Sequence, residues 1–360
     1  MNSNRLSNPD TSTASGAVSD PSRRTFLTKL TTILFAATSA GLLPESGKAW
    51  PRNTWYGPYP QAAPRFQYDD SDDQDEDEDE DEDYPPQRSA PFQADYSLNT
   101  TVQRYITHLR RTGRLAANEK TAWLVYDFTS RQYLVSINAN TPYQSASMIK
   151  PLIALAFFHK VRQGKLRYTP FHRARMEAMI QRSNNQATNY FIDLLSRASG
   201  RFGPAEAERT LKRNSPGGFR QTRIVERIPG GGRSYRNRAS ARDYHQFLHA
   251  LWYDQLPYSG ELKRLLHLPK HNRVYTGATG VARQTWVFDK TGTTARLCGD
   301  MGILVAQGLD GRRYPYIFIG IIEKSRPTQN YLAWKNARGD VIREVSSLVY
   351  GHMRRLHNLV

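Results

Sequence analysis

The sequence predicts a mixed α/β fold of the α+β sandwich type, with an antiparallel five-stranded sheet flanked by helices and an all-helical subdomain. Two β-rich segments, 121–128 and 132–137, are joined by a three-residue turn and predict a hairpin. Three more β-rich segments follow much later, at 285–290, 301–306 and 314–322. Because only helical apolar spacing separates the two groups, the sheet is predicted to form from both ends of the domain around a helical insert.

Helices are predicted wherever apolar residues recur at helical spacing. In order they are 97–111, a segment from Ser147 to about residue 162, and then 175–181, 185–196, 204–212, 240–253, 260–267 and 329–356. The stretch 214–238 is rich in Gly, Arg and Pro and predicts a long irregular loop. Loops of that length inside a compact domain tend to be functional.

The first 49 residues predict a twin-arginine signal peptide. Arg23 and Arg24 precede a weakly apolar run of about fourteen residues, which is too short for a stable membrane span. The order Ser-Arg-Arg-Thr-Phe-Leu resembles the twin-arginine consensus, and the small residues Gly47 and Ala49 suit cleavage before Trp50. We therefore expect export to the periplasm or beyond, with the twin-arginine translocase as a partner.

Residues 50–93 predict a disordered linker, and the folded domain is expected to span 94–360. From 69 to 83, thirteen of fifteen residues are Asp or Glu, and self-repulsion favours a solvated tether over a polyanion folded back on the domain. Residues 84–360 contain 43 Lys and Arg against 17 Asp and Glu. Such a basic surface suits anionic envelope polymers, and no nucleic-acid motif accompanies it.

Neither the single cysteine nor the histidine pair predicts a reactive or metal site. Cys298 cannot form an intramolecular disulfide and is expected to be a buried apolar residue of a strand. His245 and His249 lie four residues apart on a helix, but no Glu lies between them and no third ligand is evident. A surface or core pair is the favoured interpretation, and no metal or cofactor is expected.

Ser147 and Lys150 are the first candidate catalytic pair. Three residues make about one helical turn, so both side chains are expected on one face, with the amine in reach of the hydroxyl. Burial lowers the pKa of a lysine, and a neutral amine can take the proton that makes a serine nucleophilic. One such pair is expected by chance in a chain of this length, so other motifs must support it.

Two further motifs support the pair. Ser183-Asn184-Asn185 lies at a predicted helix start, where a Ser can cap the helix. Lys290-Thr291-Gly292 ends a predicted strand, where a glycine allows close approach of a substrate. The three motifs in this order, each on its expected element, are a specific combination.

In these motifs the chain resembles the serine penicillin-recognising enzymes, that is class A β-lactamases, DD-peptidases and penicillin-binding proteins, over about residues 95–358. The resemblance implies a β-lactamase/transpeptidase-like fold. It implies that Ser147 is acylated, that Lys150 accepts its proton and that Ser183 passes a proton to the leaving nitrogen. It also implies that Asn185 holds the substrate amide.

The strand motif receives binding roles from the same resemblance. Lys290 would bind a substrate carboxylate and tune Ser183, and Thr291 would hydrogen-bond that carboxylate. Gly292 lies between Thr291 and Thr293, and the backbone N–H groups of Ser147 and Thr293 would form an oxyanion hole.

The chain departs from class A β-lactamases in two places. Ser147 and Ser183 lie only 36 positions apart, which implies a trimmed helical subdomain and a more open cleft. Glu226 lies near the position of the deacylating Glu, but no Leu-Asn follows it and arginines flank it. Glu226 is therefore a candidate general base, with a salt-bridge role as the alternative.

We therefore expect an exported serine hydrolase that forms an acyl-enzyme on Ser147, acting on peptidoglycan D-Ala peptides or β-lactams. The alternatives are a non-catalytic envelope or anionic-glycan-binding protein on the same fold, and an esterase that uses only Ser147 and Lys150. Retention of all three motifs argues against the non-catalytic alternative.

Overall fold

The computed structural model describes residues 96–200, 203–229 and 235–360. The predicted signal peptide (1–49) and linker (50–93) lie outside these residues, so the export prediction stays a prediction. No helix in the described part of the chain is both long enough and apolar enough to span a membrane.

A five-stranded antiparallel sheet forms the centre of the domain, as the sequence predicted. Numbered in chain order, the strands of the described residues are β1 (Glu119–Asp127), β2 (Gln132–Ile137), β3 (Tyr143–Gln144), β4 (Arg238–Ala239), β5 (Trp286–Thr293), β6 (Leu297–Gln307) and β7 (Arg313–Lys324). The sheet has the order β2-β1-β7-β6-β5, so strands from the two ends of the domain pair at its middle. The remaining two strands, β3 and β4, form a separate short ladder that the sequence did not predict.

Helices cover both faces of the sheet. They are α1 (Tyr96–Arg111), α2 (Lys150–Arg162), α3 (Pro170–Ile180), α4 (Asn185–Ala198), α5 (Ala205–Asn214), α6 (Ala241–Trp252), α7 (Ser259–His267) and α8 (Tyr331–His357). On one face α1 and α8 pack against the sheet and each other, and on the other face α6 and α7 do so. Helices α2 to α5 pack together as the predicted all-helical subdomain.

Helix α3 begins earlier than apolar spacing predicted, at Pro170 instead of residue 175. Thr169 accepts a hydrogen bond from the backbone N–H of His172, and the His172 side chain accepts one from the backbone of Thr169. This capping box, followed by Pro at the first helical position, fixes the start of the helix. Local capping chemistry therefore outweighs the weak amphipathic pattern here.

The lone cysteine is buried in β6, as predicted. Burial raises the pKa of the Cys298 thiol to about 11, so it remains a protonated apolar group. The two histidines of α6 pack among aromatic rings of the sheet. The Nδ1 atom of His245 lies 3.1 Å from the Tyr133 hydroxyl. The imidazole rings of His245 and His249 both contact the ring of Tyr126, as expected of a pair that packs in the core.

Candidate active site

Ser147 lies in a 3₁₀ turn, Ala146–Ile149, that leads directly into α2. We call residues 145–149 the nucleophile turn, after the role that the sequence predicts for Ser147. Ala146 has a φ of +46°, which is unusual for a residue with a side chain, and Ser147 follows it with a partly exposed side chain. The backbone N–H of Lys150 donates to the Ser147 carbonyl, which closes the turn. The predicted α-helical start is thus a tighter 3₁₀ turn, in which positions i and i+3 eclipse.

Lys150 is fully buried and joins the two serine motifs. Its Nζ atom lies 2.5 Å from the carbonyl oxygen of Ser183, 3.1 Å from the Ser183 hydroxyl and 2.9 Å from Oδ1 of Asn185. Burial, helped by the positive charge of Lys290, lowers the pKa of Lys150 to about 6. The amine is therefore mostly uncharged at neutral pH and can accept a proton.

The sequence placed the Lys150 amine within reach of the Ser147 hydroxyl, but the structure shows no hydrogen bond between these two described side chains. The amine is bonded to Ser183 and Asn185 instead. Catalytic hydrogen bonds are often loose before a substrate binds, so this geometry leaves the predicted role untested.

Ser183 and Asn185 are positioned by the start of α4. The N-cap of this helix is Asn184, whose side chain accepts a hydrogen bond from the N–H of Ala187 at 2.8 Å. The sequence suggested Ser183 for this role. Ser183 has a φ of +57°, so the chain turns sharply before the cap. This turn directs both the carbonyl and the hydroxyl of Ser183 to the Lys150 amine.

The end of β5 runs directly against the nucleophile turn. A Cβ atom on Gly292 would lie 2.9 Å from Cγ and 3.0 Å from the backbone N of Met148. Real Cβ atoms essentially never lie as close as the first contact, and the second is tighter than nine in ten real contacts, so a side chain here would force the nucleophile turn to shift. The glycine predicted to allow close approach therefore serves the contact between two parts of the protein itself.

Lys290 is nearly fully buried in β5, next to the predicted carboxylate-binding threonine. Its Nζ atom donates to the carbonyl of Thr291 at 2.9 Å. Burial lowers the pKa of Lys290 to about 8, and the negative charge of Asp289 limits this effect. Lys290 therefore remains mostly cationic at neutral pH, as the recognition of a carboxylate requires.

Arg273 is a residue of this region that the sequence did not single out. Its Nη2 atom donates to the Thr293 hydroxyl at 2.8 Å, and its Nη1 atom donates to the carbonyl of Gly299 at 3.2 Å. Its backbone N–H donates to Asp300. A lone arginine in an irregular loop carries no motif, so only the folded chain reveals that it adds positive charge at the end of β5.

Glu226, the candidate base, is bound to Arg236. Its carboxylate accepts hydrogen bonds from the backbone N–H of Arg236 at 2.6 Å and from its Nε at 2.8 Å. Within the described chain, no hydrogen bond joins it to Lys150 or Asn185. The salt-bridge alternative thus has a partner in the structure, although the partner is not one of the adjacent arginines.

The same loop is clamped to α4 two residues further on, at Ile228. The side chain of Asn189 donates to the carbonyl of Ile228 at 3.0 Å and accepts from its N–H at 2.7 Å. Asn189 lies one helical turn after Asn185 and so shares its face of α4. The side chain of Asn189 therefore holds the backbone of Ile228 against the face of α4 that carries Asn185.

No group of three or more His, Cys, Asp or Glu side chains in the described ranges could hold a metal ion. The residues of the three motifs offer nucleophilic and proton-transfer chemistry through their own hydroxyl and amine groups. Lys150 at the start of α2 contacts Ser183 and Asn185 at the start of α4, and Ser147 precedes Lys150 by three residues. Strand β5 packs against the nucleophile turn at Met148.

Comparisons with known proteins agree with this architecture. The model of the Beta-lactamase enzyme family matches residues 101–170 and 173–353. No curated protein sequence matches the chain significantly.

Solved structures of PBP-A and of β-lactamases are similar in fold to this chain. A mutant of PBP-A, in an acyl-enzyme complex with penicillin G, has a TM-score of 0.57 at 20% identity, covering 74% of this chain and 99% of that one. An ancestral class A β-lactamase (GNCA) has a TM-score of 0.55 at 22% identity, covering 70% and 99%. A β-lactamase from Desulfarculus baarsii has a TM-score of 0.56 at 17% identity, covering 71% and 98%. The likeness to these structures supports the fold, and the match of the family model over most of the domain shows that the chain belongs to the Beta-lactamase enzyme family.

Proposed function

We propose that this protein is an exported acyl-enzyme-forming serine hydrolase of the penicillin-binding type, which acts on D-Ala peptides of peptidoglycan and is acylated by β-lactams. The observation that carries the proposal is the buried Lys150 amine, whose lowered pKa makes it a base beside Ser183 and Asn185. A non-catalytic binding protein has no need to bury a lysine at this cost in solvation free energy without a carboxylate to pair with it, as Glu206 pairs with the buried Lys160.

In the proposed acylation, Ser147 Oγ attacks the substrate carbonyl carbon while its proton passes to the neutral Lys150 amine. The leaving nitrogen takes a proton from the Ser183 hydroxyl, and Lys150 returns one to Ser183. A neutral amine has two N–H donors and one lone pair. The three contacts of Lys150 fit this state, with Ser183 O and Asn185 Oδ1 as acceptors and the Ser183 hydroxyl able to supply the proton of the third contact.

Deacylation of a bound β-lactam is expected to be slow. The Glu226 carboxylate is held by two hydrogen bonds to Arg236, and the residue clamped to the face of α4 that carries Asn185 is the aliphatic Ile228. No carboxylate is therefore free on this part of the described loop to activate water. A PBP-A mutant of similar fold has been solved as an acyl-enzyme complex with penicillin G, which supports acylation by a β-lactam on this fold.

A fluorescent penicillin tests the proposal, with Ser147→Ala as the control. We expect a stable covalent adduct on the wild-type protein and none on the variant, together with little ring-opened product. An adduct that forms and disappears within the mixing time, with product accumulating, would identify a β-lactamase instead. A wild-type protein that forms no adduct would contradict the penicillin-recognising assignment.

The half-life of the penicillin adduct tests the roles of Glu226 and Ile228 in deacylation. Glu226→Gln is expected to leave the half-life within about threefold of wild type, because the carboxylate serves Arg236. Ile228→Glu is expected to shorten the half-life, because the substitution introduces a carboxylate at the position that Asn189 holds against α4. A Glu226→Gln variant with a much longer half-life would identify Glu226 as the base.

A further inference from the structure

The residue before the nucleophile has a conformation that needs support from the surrounding structure. Ala146 has a φ of +46°, a left-handed backbone conformation that is disfavoured for residues with a Cβ atom. Its peptide group is shared with Ser147, so a change at Ala146 would reorient both the N–H and the side chain of Ser147. Strain of this kind persists only where neighbouring groups hold it in place.

The hydroxyl of Tyr235 holds this turn from a buried position. It donates to the carbonyl of Ala146 at 2.6 Å and lies 3.1 Å from the Ser145 hydroxyl, which can donate to it in turn. Only 7% of Tyr235 is exposed, and burial raises the pKa of its phenol. The hydroxyl thus remains a proton donor at any pH at which the protein works.

Tyr235 is itself fixed by residues that adjoin the site. The side chain of Gln144 donates to the carbonyl of Tyr235 at 3.0 Å and accepts from the hydroxyl of Thr294 at 2.9 Å. Thr294 follows the last residue of β5. One hydrogen-bonded path therefore joins the end of β5, the ladder formed by β3 and β4, and the nucleophile turn.

We propose that Tyr235 is a positioning residue for the nucleophile, whose hydroxyl holds Ala146 in its left-handed conformation and thereby aims Ser147 at the substrate carbonyl. The inference deepens the proposed function and depends on it for its kinetic test. Tyr235 touches none of the reacting groups and has no hydrogen bond to Lys150 in the described structure. Its loss should therefore slow acylation without changing the pH at which Lys150 titrates.

The test is Tyr235→Phe, with Tyr244→Phe as a matched control. Tyr244 is a buried tyrosine too, but its hydroxyl has no hydrogen-bond partner among the described residues. Single-turnover labelling over a range of fluorescent penicillin concentrations gives the acylation rate and the affinity of the initial complex separately. We expect Tyr235→Phe to acylate about tenfold or more slowly, with binding changed by less than about threefold and the pH profile unmoved. The control should acylate at nearly the wild-type rate.

A second substitution distinguishes positioning from a general structural role. Glycine adopts left-handed backbone angles without the Cβ penalty, so Ala146→Gly should restore part of the acylation rate lost in Tyr235→Phe. A purely structural defect at Tyr235 would not be rescued in this way. Equal acylation rates for Tyr235→Phe and Tyr244→Phe, or a double variant slower than Tyr235→Phe, would overturn the proposal.

Failure of the inference is distinguishable from failure of the proposed function. If the wild-type protein forms no penicillin adduct, the proposed function fails, and crystal structures of the wild type and Tyr235→Phe still test the inference. We expect the carbonyl of Ala146 to turn away and its φ to leave the left-handed region in the variant. An unchanged turn without the tyrosine hydroxyl would overturn the role assigned to Tyr235.

Discussion

The titration of Lys150 predicts the acidic limb of the pH profile of acylation. A change in the pKa of this amine from 10.5 to about 6 disfavours its ammonium form by about 6 kcal/mol relative to a solvated lysine. At pH 7 about nine tenths of the protein would hold the neutral base, at pH 6 about half and at pH 5 about one tenth. Acylation should therefore fall about tenfold per pH unit well below pH 6.

The titration of Lys290 predicts the alkaline limb of the same pH profile. Its pKa of about 8 means that the cation expected to attract a substrate carboxylate is lost as the pH rises through that value. The second-order rate of penicillin acylation, which reports groups of the free enzyme, should thus be bell-shaped with midpoints near 6 and 8. Lys290→Arg retains its charge and should remove the alkaline limb while leaving an acidic one.

The assay is labelling with a fluorescent penicillin at sub-saturating concentration in buffers from pH 4.5 to 9.5, at constant ionic strength. Intrinsic fluorescence at each pH confirms that the protein stays folded. An acylation rate that does not change between pH 5 and 7 would refute the assignment of Lys150 as a neutral base. An acidic limb that persists unchanged in Lys150→Met would refute it as well.

Two further variants test the packing that builds the site and the domain. Gly292→Ala should slow acylation by tenfold or more, because its Cβ would collide with the side chain and backbone of Met148, and a rate within twofold of wild type would contradict the close approach. Glu206→Gln should lower the free energy of unfolding in urea by about 3–5 kcal/mol, because it leaves Lys160 buried without its carboxylate at 2.8 Å. The control Asp340→Asn, which alters a more exposed ion pair with Arg343, should cost less than about 1 kcal/mol, and equal losses would contradict the effect of burial.

Much of the fold could be predicted from the sequence because its signals are local. Strand β2 was predicted with its observed bounds, and each of the five sheet strands was found within a few residues. The early hairpin and the late strands also implied an antiparallel sheet built from both ends. The ladder of β3 and β4 escaped prediction because two-residue strands depend on long-range pairing and leave no periodic pattern.

The candidate site was predictable to the extent that motifs mark it. Ser147, Lys150 and Asn185 carry spacing that can be recognised in a single sequence, and the fold brings Lys150 into contact with Asn185. Arg273 and Tyr235 lie in irregular segments, and their hydrogen bonds to Thr293 and Ala146 exist only in the folded chain. The pairing of Glu226 with Arg236 could not be predicted from the sequence either. Two other arginines, Arg223 and Arg227, lie closer to Glu226 along the chain and would be the expected partners.

A neutral Lys150 amine beside Ser183 is proposed to take the proton of Ser147, so that Ser147 becomes acylated. The most direct test is mass spectrometry of the intact protein after incubation with penicillin G at pH 7, followed by peptide mapping. The account predicts a persistent mass increase of one whole penicillin molecule on the peptide containing Ser147, absent in Ser147→Ala. A protein of unchanged mass whose penicillin G is also left unhydrolysed, or an adduct on another residue, would contradict it.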